Sequence, residues 1–168
     1  MPIDTHGMKH TVREAAPMDA PELARLRWEF RVEDQSLQPR SEFLRECEEW
    51  LHEAFRSGRW VVVVADAERG SLCGCMYLQC IEKVPVPGRS PRAWGYVTNS
   101  YVASEQRGHG LGRVLLDLLI DAARARGLEF LMVWPSEDAS SFYRRAGFRP
   151  VSEVHAGHDD EPPLELLL

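Results

Sequence analysis

Apolar residues return every third or fourth position in several stretches of the chain. Leu23, Leu26 and Phe30 share one helical face after Asp19, and Asp19 with Glu22 has capping-box spacing. A longer stripe runs through Phe43, Leu44, Cys47, Trp50, Leu51, Ala54 and Phe55, with Ser41 as its cap and Gly58 as its stop. Leu111, Val114, Leu115, Leu118, Leu119 and Ala122 repeat at helical spacing until Gly127. A short fourth helix is expected in "SEDASSFYRRAGF", closed by Gly147.

Between these stretches the period changes. "HTVREA" at 10–15 reads as a first strand, and "RWVVVVADA" as a strand rich in β-branched residues. "GSLCGCMYLQCI" reads as the partner of the latter, with a turn around Glu68–Ser71. "AWGYVTNSYVA", "LEFLMVW", "RPVSEV" and "LELLL" complete the set. "EKVPVPGRSPR" holds three prolines and a glycine, a loop suited to border a substrate site. The order is β-α-α-β-β-β-α-β-α-β-β. Three consecutive strands followed by βαβ units predict an α/β fold, with a mixed sheet and helices on both faces. No compositional break divides residues 1–168, so a single domain is expected.

Composition narrows the class. Of 168 residues, 44% are hydrophobic and 27% charged, the profile of a soluble globular protein. Apolar runs such as "WVVVVA" are too short to span a bilayer, and no signal-peptide pattern opens the chain. A cytoplasmic protein without a membrane partner is therefore expected. Cys47, Cys73, Cys75 and Cys80 form no CxxC pair and read as reduced, mostly buried thiols. The net charge of −6 argues against nucleic acid as a partner and is compatible with a cationic substrate.

"EQRGHGLGRVLLD" at 105–117 carries the chemistry. Its glycines lie between a predicted strand and a predicted helix. Backbone N–H groups at a helix start have no acceptor one turn back and point outward, where they can bind an anion. Glycine lets a phosphate approach because no Cβ intervenes. A helix start ordinarily favours Asp or Glu, yet Arg107 and Arg113 flank this one, which suits a phosphate-bearing ligand. The nucleotide P-loop is absent, because no Lys-Ser or Lys-Thr follows. The dinucleotide fingerprint misses by one position, with Arg113 where its third glycine belongs.

Arg107-x-x-Gly110-x-Gly112 resembles the (R/Q)xxGx(G/A) signature of the GNAT-type N-acetyltransferases, and "ASSFYRRAGF" resembles their AxxxYxxxGF helix. The resemblance spans nearly the whole chain, with its specific motifs within 96–148. It implies a GNAT-like sheet, mostly antiparallel, with two splayed parallel strands in the middle, "YVTNSYVA" and "EFLMVW". It implies acetyl-CoA as co-substrate and no metal. Backbone of Val102 and Ala103 would pair with the pantetheine arm. The diphosphate would rest on Arg107, Gly108, His109, Gly110, Leu111 and Gly112, with Arg107 or Arg113 near its charge. His109 reads as a contact or an exposed loop residue rather than a catalytic one.

The implied reaction is direct transfer of the acetyl group to a primary amine of a small molecule in a ternary complex. Deprotonating an amine of pKa about 10.4 costs roughly 4–5 kcal/mol at pH 7, so a base or a water chain is needed. Tyr143 occupies the motif tyrosine and would assist departure of the thiolate. Full proton transfer from phenol to thiolate is uphill by roughly 2 kcal/mol, so a hydrogen bond is as useful as a proton. Helical spacing with Ala139, Phe142 and Ala146 gives Tyr143 an alternative role in the core.

The chain departs from the family pattern in two places. Ser136 stands where the helix usually opens with asparagine, and the central strand holds no Asp, Glu or His. The base is left open among Glu82, Glu33, Asp34 and Tyr96. Asn99, polar within an apolar strand, needs a hydrogen-bond partner if buried. Trp28 and Trp94 suit either an acceptor pocket or the core. His155, His158, Asp159 and Asp160 read as a solvated hairpin loop rather than metal ligands, because Gly157 and "EPP" interrupt any helix. The family often pairs into dimers, so a homodimer is one expectation. Acceptors on a peptide or protein, an acyl-CoA-binding module without turnover, and nucleotide binding at the same turn are the competing readings.

Overall fold

The computed structural model describes residues 2–5, 8–32, 40–67, 70–88, 92–151 and 164–168. They divide into two compact units, 1–77 with 99–119, and 78–98 with 120–168. The strands are β1 (Pro2–Thr5), β2 (Met8–Glu14), β3 (Trp60–Asp66), β4 (Leu72–Glu82), β5 (Ala93–Val102), β6 (Phe130–Val133), β7 (Arg149–Pro150) and β8 (Leu164–Leu167). The helices are α1 (Ala20–Val32), α2 (Ser41–Ser57), α3 (Leu111–Ala125) and α4 (Glu137–Arg145).

In the first unit the strand order runs β1-β2-β3-β4-β5, and β1–β2 and β2–β3 are antiparallel. Leu23, Leu26, Leu51, Val62, Val64 and Tyr77 form its main core, which places α1 and α2 on one face. The other face of β4 meets α3: a Cβ on Gly74 would lie 3.1 Å from Leu115. Glycine here is a packing requirement, since the helix has closed onto the strand.

In the second unit the order is β4-β5-β6-β8-β7. β5 and β6 are parallel, pairing Gly95–Val97 with Leu131–Val133, whereas β6–β8 and β7–β8 are antiparallel. Gly95 is fixed by packing too, because a Cβ there would come within 2.5 Å of Leu78 and 2.6 Å of Leu131. The expected mixed sheet forms, with the parallel pair β5–β6 next to the antiparallel pair β6–β8.

Several local readings differ. The N-terminus holds an extra strand, β1, in a hairpin with β2. Asp19 does not cap α1 with Glu22. It ends a 3-10 turn, accepts the Ala16 N–H at 2.7 Å and takes two hydrogen bonds from Arg13 at 2.8 Å each. Arg13 also bridges to Asp66 of β3, so the stronger charged partner wins Asp19 away from the helix start. Glu22 turns to the Leu72 N–H and to Arg25 instead. Ser41 lies inside α2, whose N-cap is Arg40, and gives no side-chain cap. The α2 stripe is less buried than its pattern suggests: Leu51 and Ala54 are buried, while Trp50 stays 46% exposed. Gly58 and Gly127 do stop their helices, each with positive φ. The readings at 68–69, 152–160 and "EPP" lie outside the described residues.

Candidate active site

In the first unit β5 ends in a 3-10 turn, Ser104–Gln106, followed by the glycine stretch and α3. Gly108 and Gly110 take φ of 78° and 84°, in the left-handed region. A Cβ at either would meet nothing within 4 Å, so the space before this backbone is open. Gly110 carries the first helical acceptor: its carbonyl takes N–H groups from Arg113 at 3.0 Å and Val114 at 3.3 Å. Helix geometry then leaves the N–H groups of Leu111 and Gly112 without an intrahelical acceptor. The Leu111 side chain is buried, 2% exposed, and anchors the turn to the core. No acidic residue occupies the first turn of α3. The result is an open group of backbone donors suited to an anion.

The flanking cations are positioned by the fold. Arg107 Nε donates to the Val102 carbonyl at 2.8 Å, and its guanidinium lies over the Tyr101 ring at 5.6 Å. Arg113 pairs with Asp117 one turn on, at 2.9 Å. That partner offsets its charge, so Arg113 at a helix start does not by itself require a bound anion. His109 is exposed. Ala103 donates its N–H to Cys73 at 2.9 Å and accepts from Gln106 at 2.8 Å. A carbonyl oxygen carries two lone pairs, so accepting one hydrogen bond does not bar a second.

Upstream in the same unit, Asn99 has φ of 48°, the one positive value at a non-glycine among the described residues. A left-handed residue within a strand interrupts the pleat. The Asn99 carbonyl accepts from the Cys75 thiol at 3.8 Å, and its side-chain oxygen accepts from Arg27 at 2.6 Å. Sequence reasoning marked Asn99 as needing a partner but did not find Arg27, which is 72 residues away in the chain. Burial raises the Cys75 thiol to about 12 and pushes the Tyr77 phenol up as well. Cys47, Cys73, Cys75 and Cys80 are all free thiols, each held above its ordinary pKa chiefly by burial, which makes them poor nucleophiles. Between α1 and the start of α2 lies an open cleft of about 420 Å³, lined by Trp28, Arg40, Glu42, Phe43 and Glu46.

In the second unit Tyr143 is 3% exposed on α4. Its ring stands edge-on to Phe142 at 5.0 Å and to Phe148 at 5.4 Å. Its carbonyl takes the Phe148 N–H at 3.1 Å, closing the helix around Gly147. Ser136 is the N-cap of α4 but makes no side-chain cap bond. Tyr96 packs edge-on to Trp134 at 5.3 Å, and Trp94 stacks on Phe130 at 5.5 Å. Glu82 is exposed. Glu33 and Asp34 lie outside the described residues. Glu129 is held below the usual carboxylate range by a hydrogen bond from Lys83, with Arg92 adding to the effect, so it is no base at neutral pH. Among the described residues, no three or more of His, Cys, Asp and Glu group as metal ligands would. Also among them, no helix is long and apolar enough to cross a membrane.

Comparison with known proteins bears on the fold and the family. No curated protein matches the chain. Solved structures do, over most of their length. A predicted acetyltransferase from Clostridium acetobutylicum, crystallised with acetyl-CoA, is 21% identical with a TM-score of 0.70, covering 89% of this chain and 96% of its own. Glucosamine-6-phosphate N-acetyltransferase from Arabidopsis thaliana is 19% identical with a TM-score of 0.69, covering 90% and 99%. A GNAT-family acetyltransferase from Streptococcus pneumoniae is 20% identical with a TM-score of 0.69, covering 95% and 99%. At these identities the likeness speaks for the fold. The sequence profile of the acetyltransferase (GNAT) family matches residues 21–148, well over half the chain and inclusive of both motifs. The chain belongs to the acetyltransferase (GNAT) family.

Proposed function

We propose that the protein transfers the acetyl group of acetyl-CoA to a primary amine of a small molecule, by direct attack in a ternary complex. The observation that carries this is the open turn at 107–112, where two left-handed glycines feed a helix start with no acid in its first turn. In this reading the diphosphate of the cofactor accepts from the main-chain N–H groups of Gly108 to Gly112. The backbone of Val102 and Ala103 pairs with the amides of the pantetheine arm. Arg107, tied to Val102, contributes charge without a mobile side chain.

The amine loses a proton to water or a base and attacks the thioester carbonyl. The tetrahedral intermediate then expels the CoA thiolate, and Tyr143 donates a hydrogen bond to the departing sulfur. The phenol is rigidly packed between two rings, which supports a fixed donor rather than a mobile one. Cys73 and Cys75 are buried, Cys47 and Cys80 half-buried, and all four thiols are raised above their ordinary pKa, which makes a covalent acetyl-cysteine route chemically poor and favours direct attack.

Thiol release from acetyl-CoA against a panel of amines, polyamines, amino acids, aminoglycosides and peptides tests this reading. Turnover with a small amine supports it. Turnover with peptides alone moves the acceptor to proteins, and CoA binding without any turnover leaves an acyl-CoA-binding module. Binding of ATP in preference to CoA would overturn it.

A further inference from the structure

Three arginines among the described residues are half-buried: Arg13, Arg25 and Arg27. Two of them are saturated by carboxylates. Arg13 holds Asp19 at 2.8 Å and Asp66 at 2.9 Å. Arg25 holds Glu22 at 2.9 Å, pairs with Glu29, and donates to the Leu72 carbonyl at 2.7 Å. Arg27, two residues further along α1, has no carboxylate partner among the described residues. Its one hydrogen bond among the described residues is from Nη1 to the neutral side-chain oxygen of Asn99 at 2.6 Å, and its guanidinium lies 5.8 Å from the centre of the Phe30 ring.

The contrast matters because a guanidinium carries five N–H donors and never loses its charge. Withdrawing it from water without a counter-ion is unfavourable, and native chains normally supply one. Here the unspent donors belong to a side chain that remains partly open to solvent. Its positive field acts on the Cys47 and Cys75 thiols and the Tyr77 phenol. The residue it grips is the strained Asn99 of β5, a few residues before the glycine turn. A fixed, half-desolvated cation with a free planar edge is what bidentate recognition of a carboxylate or a phosphate requires.

We infer that Arg27 is a specificity residue, receiving an anionic group on the acceptor amine, so that the acceptor is an amine bearing a carboxylate or a phosphate. This rests on the acetyl-transfer reading above. The Asn99 contact leaves Nε and Nη2 as the edge that meets the anion, while the amine is the end that is acetylated.

The test observes Arg27 directly. The ¹⁵Nε resonance of Arg27 is assigned by its loss in Arg27→Lys, and the wild-type protein, saturated with CoA so that the glycine turn is filled, is titrated with N-acetylglycine, N-acetylglycinamide and inorganic phosphate. The resonance is expected to shift with at least one of the two anions and to ignore the neutral amide. A shift with N-acetylglycine alone identifies a carboxylate, and one with phosphate alone a phosphate. In turnover, glycine over glycinamide or phosphoethanolamine over ethanolamine is expected to be preferred at least tenfold in kcat/KM, falling to within about threefold in Arg27→Gln with KM for acetyl-CoA unchanged within twofold. A resonance indifferent to both anions overturns the inference, as does a preference that survives in Arg27→Gln. Failure of CoA itself to bind strikes the acetyl-transfer reading instead, and the anion titration without CoA still reports on Arg27.

Discussion

The turn at 107–112 and the tyrosine at 143 are opposite kinds of functional feature. The turn is exposed over 107–110, Gly108 and Gly110 face open space, and its chemistry belongs to the backbone. Tyr143 is 3% exposed, wedged between Phe142 and Phe148, and its chemistry would belong to a single hydroxyl. In the first, folding leaves donors unspent at a helix start; in the second, packing fixes one side chain. A substitution in the turn should therefore strike binding while sparing the fold, and one at Tyr143 should strike turnover only if the hydroxyl, not the ring, matters.

The largest effect is expected from Gly110→Val. Forcing a β-branched residue to φ of 84° costs about 1–2 kcal/mol of stability, because only strain and no clash opposes it in the free protein. The new side chain occupies the space a diphosphate would fill, so calorimetry should record no measurable CoA binding while circular dichroism still records a folded protein. Next comes Tyr143→Phe, which keeps the ring packing. If the hydroxyl assists the leaving thiolate, kcat falls about a hundredfold with little change in melting temperature. Unchanged kcat would assign Tyr143 to the core alone.

A control in the first unit separates stability from binding. Asp19→Asn removes the charged end of the Arg13 bridge and should cost about 2 kcal/mol in urea unfolding without altering the affinity for CoA. The pH dependence has a definite sign. The hydrogen bonds from Arg13 hold the Asp19 carboxyl below its usual range in the folded state. Its contribution is therefore complete at neutral pH and is lost as pH falls below about 4 towards the folded value. The variant should flatten that part of the acid-unfolding curve. The smallest effect is expected from Arg113→Ala. Its exposed pair with Asp117 is worth a few tenths of a kcal/mol, and CoA affinity should fall by less than about fivefold.

Wherever one local signal decided the structure, the sequence was easy to read. The stripes of α2 and α3, the β-branched run of β3 and the stopping glycines 58 and 127 all formed at their expected places. The spacing of Gly108, Gly110 and Gly112 marks the turn, where Gly108 and Gly110 take positive φ. Reading failed where a distant partner competed. Asp19 and Glu22 had capping-box spacing, but Arg13 and the Leu72 N–H offered stronger partners. The Arg27–Asn99 contact joins residues 72 positions apart, and no periodicity predicts it. Arg27 sits two residues from Arg25 on α1, and only their different partners distinguish them. The missing base illustrates the same limit, since a proton acceptor is defined by what surrounds it.

The central claim is that main-chain donors at 107–112 hold the diphosphate of coenzyme A. Calorimetric titration of CoA, and of pantetheine lacking the diphosphate, into wild-type protein and Gly110→Val tests it most directly. Wild-type protein is expected to bind CoA far more tightly than pantetheine, and the variant to lose this difference while remaining folded. CoA binding of undiminished affinity in the variant would contradict it.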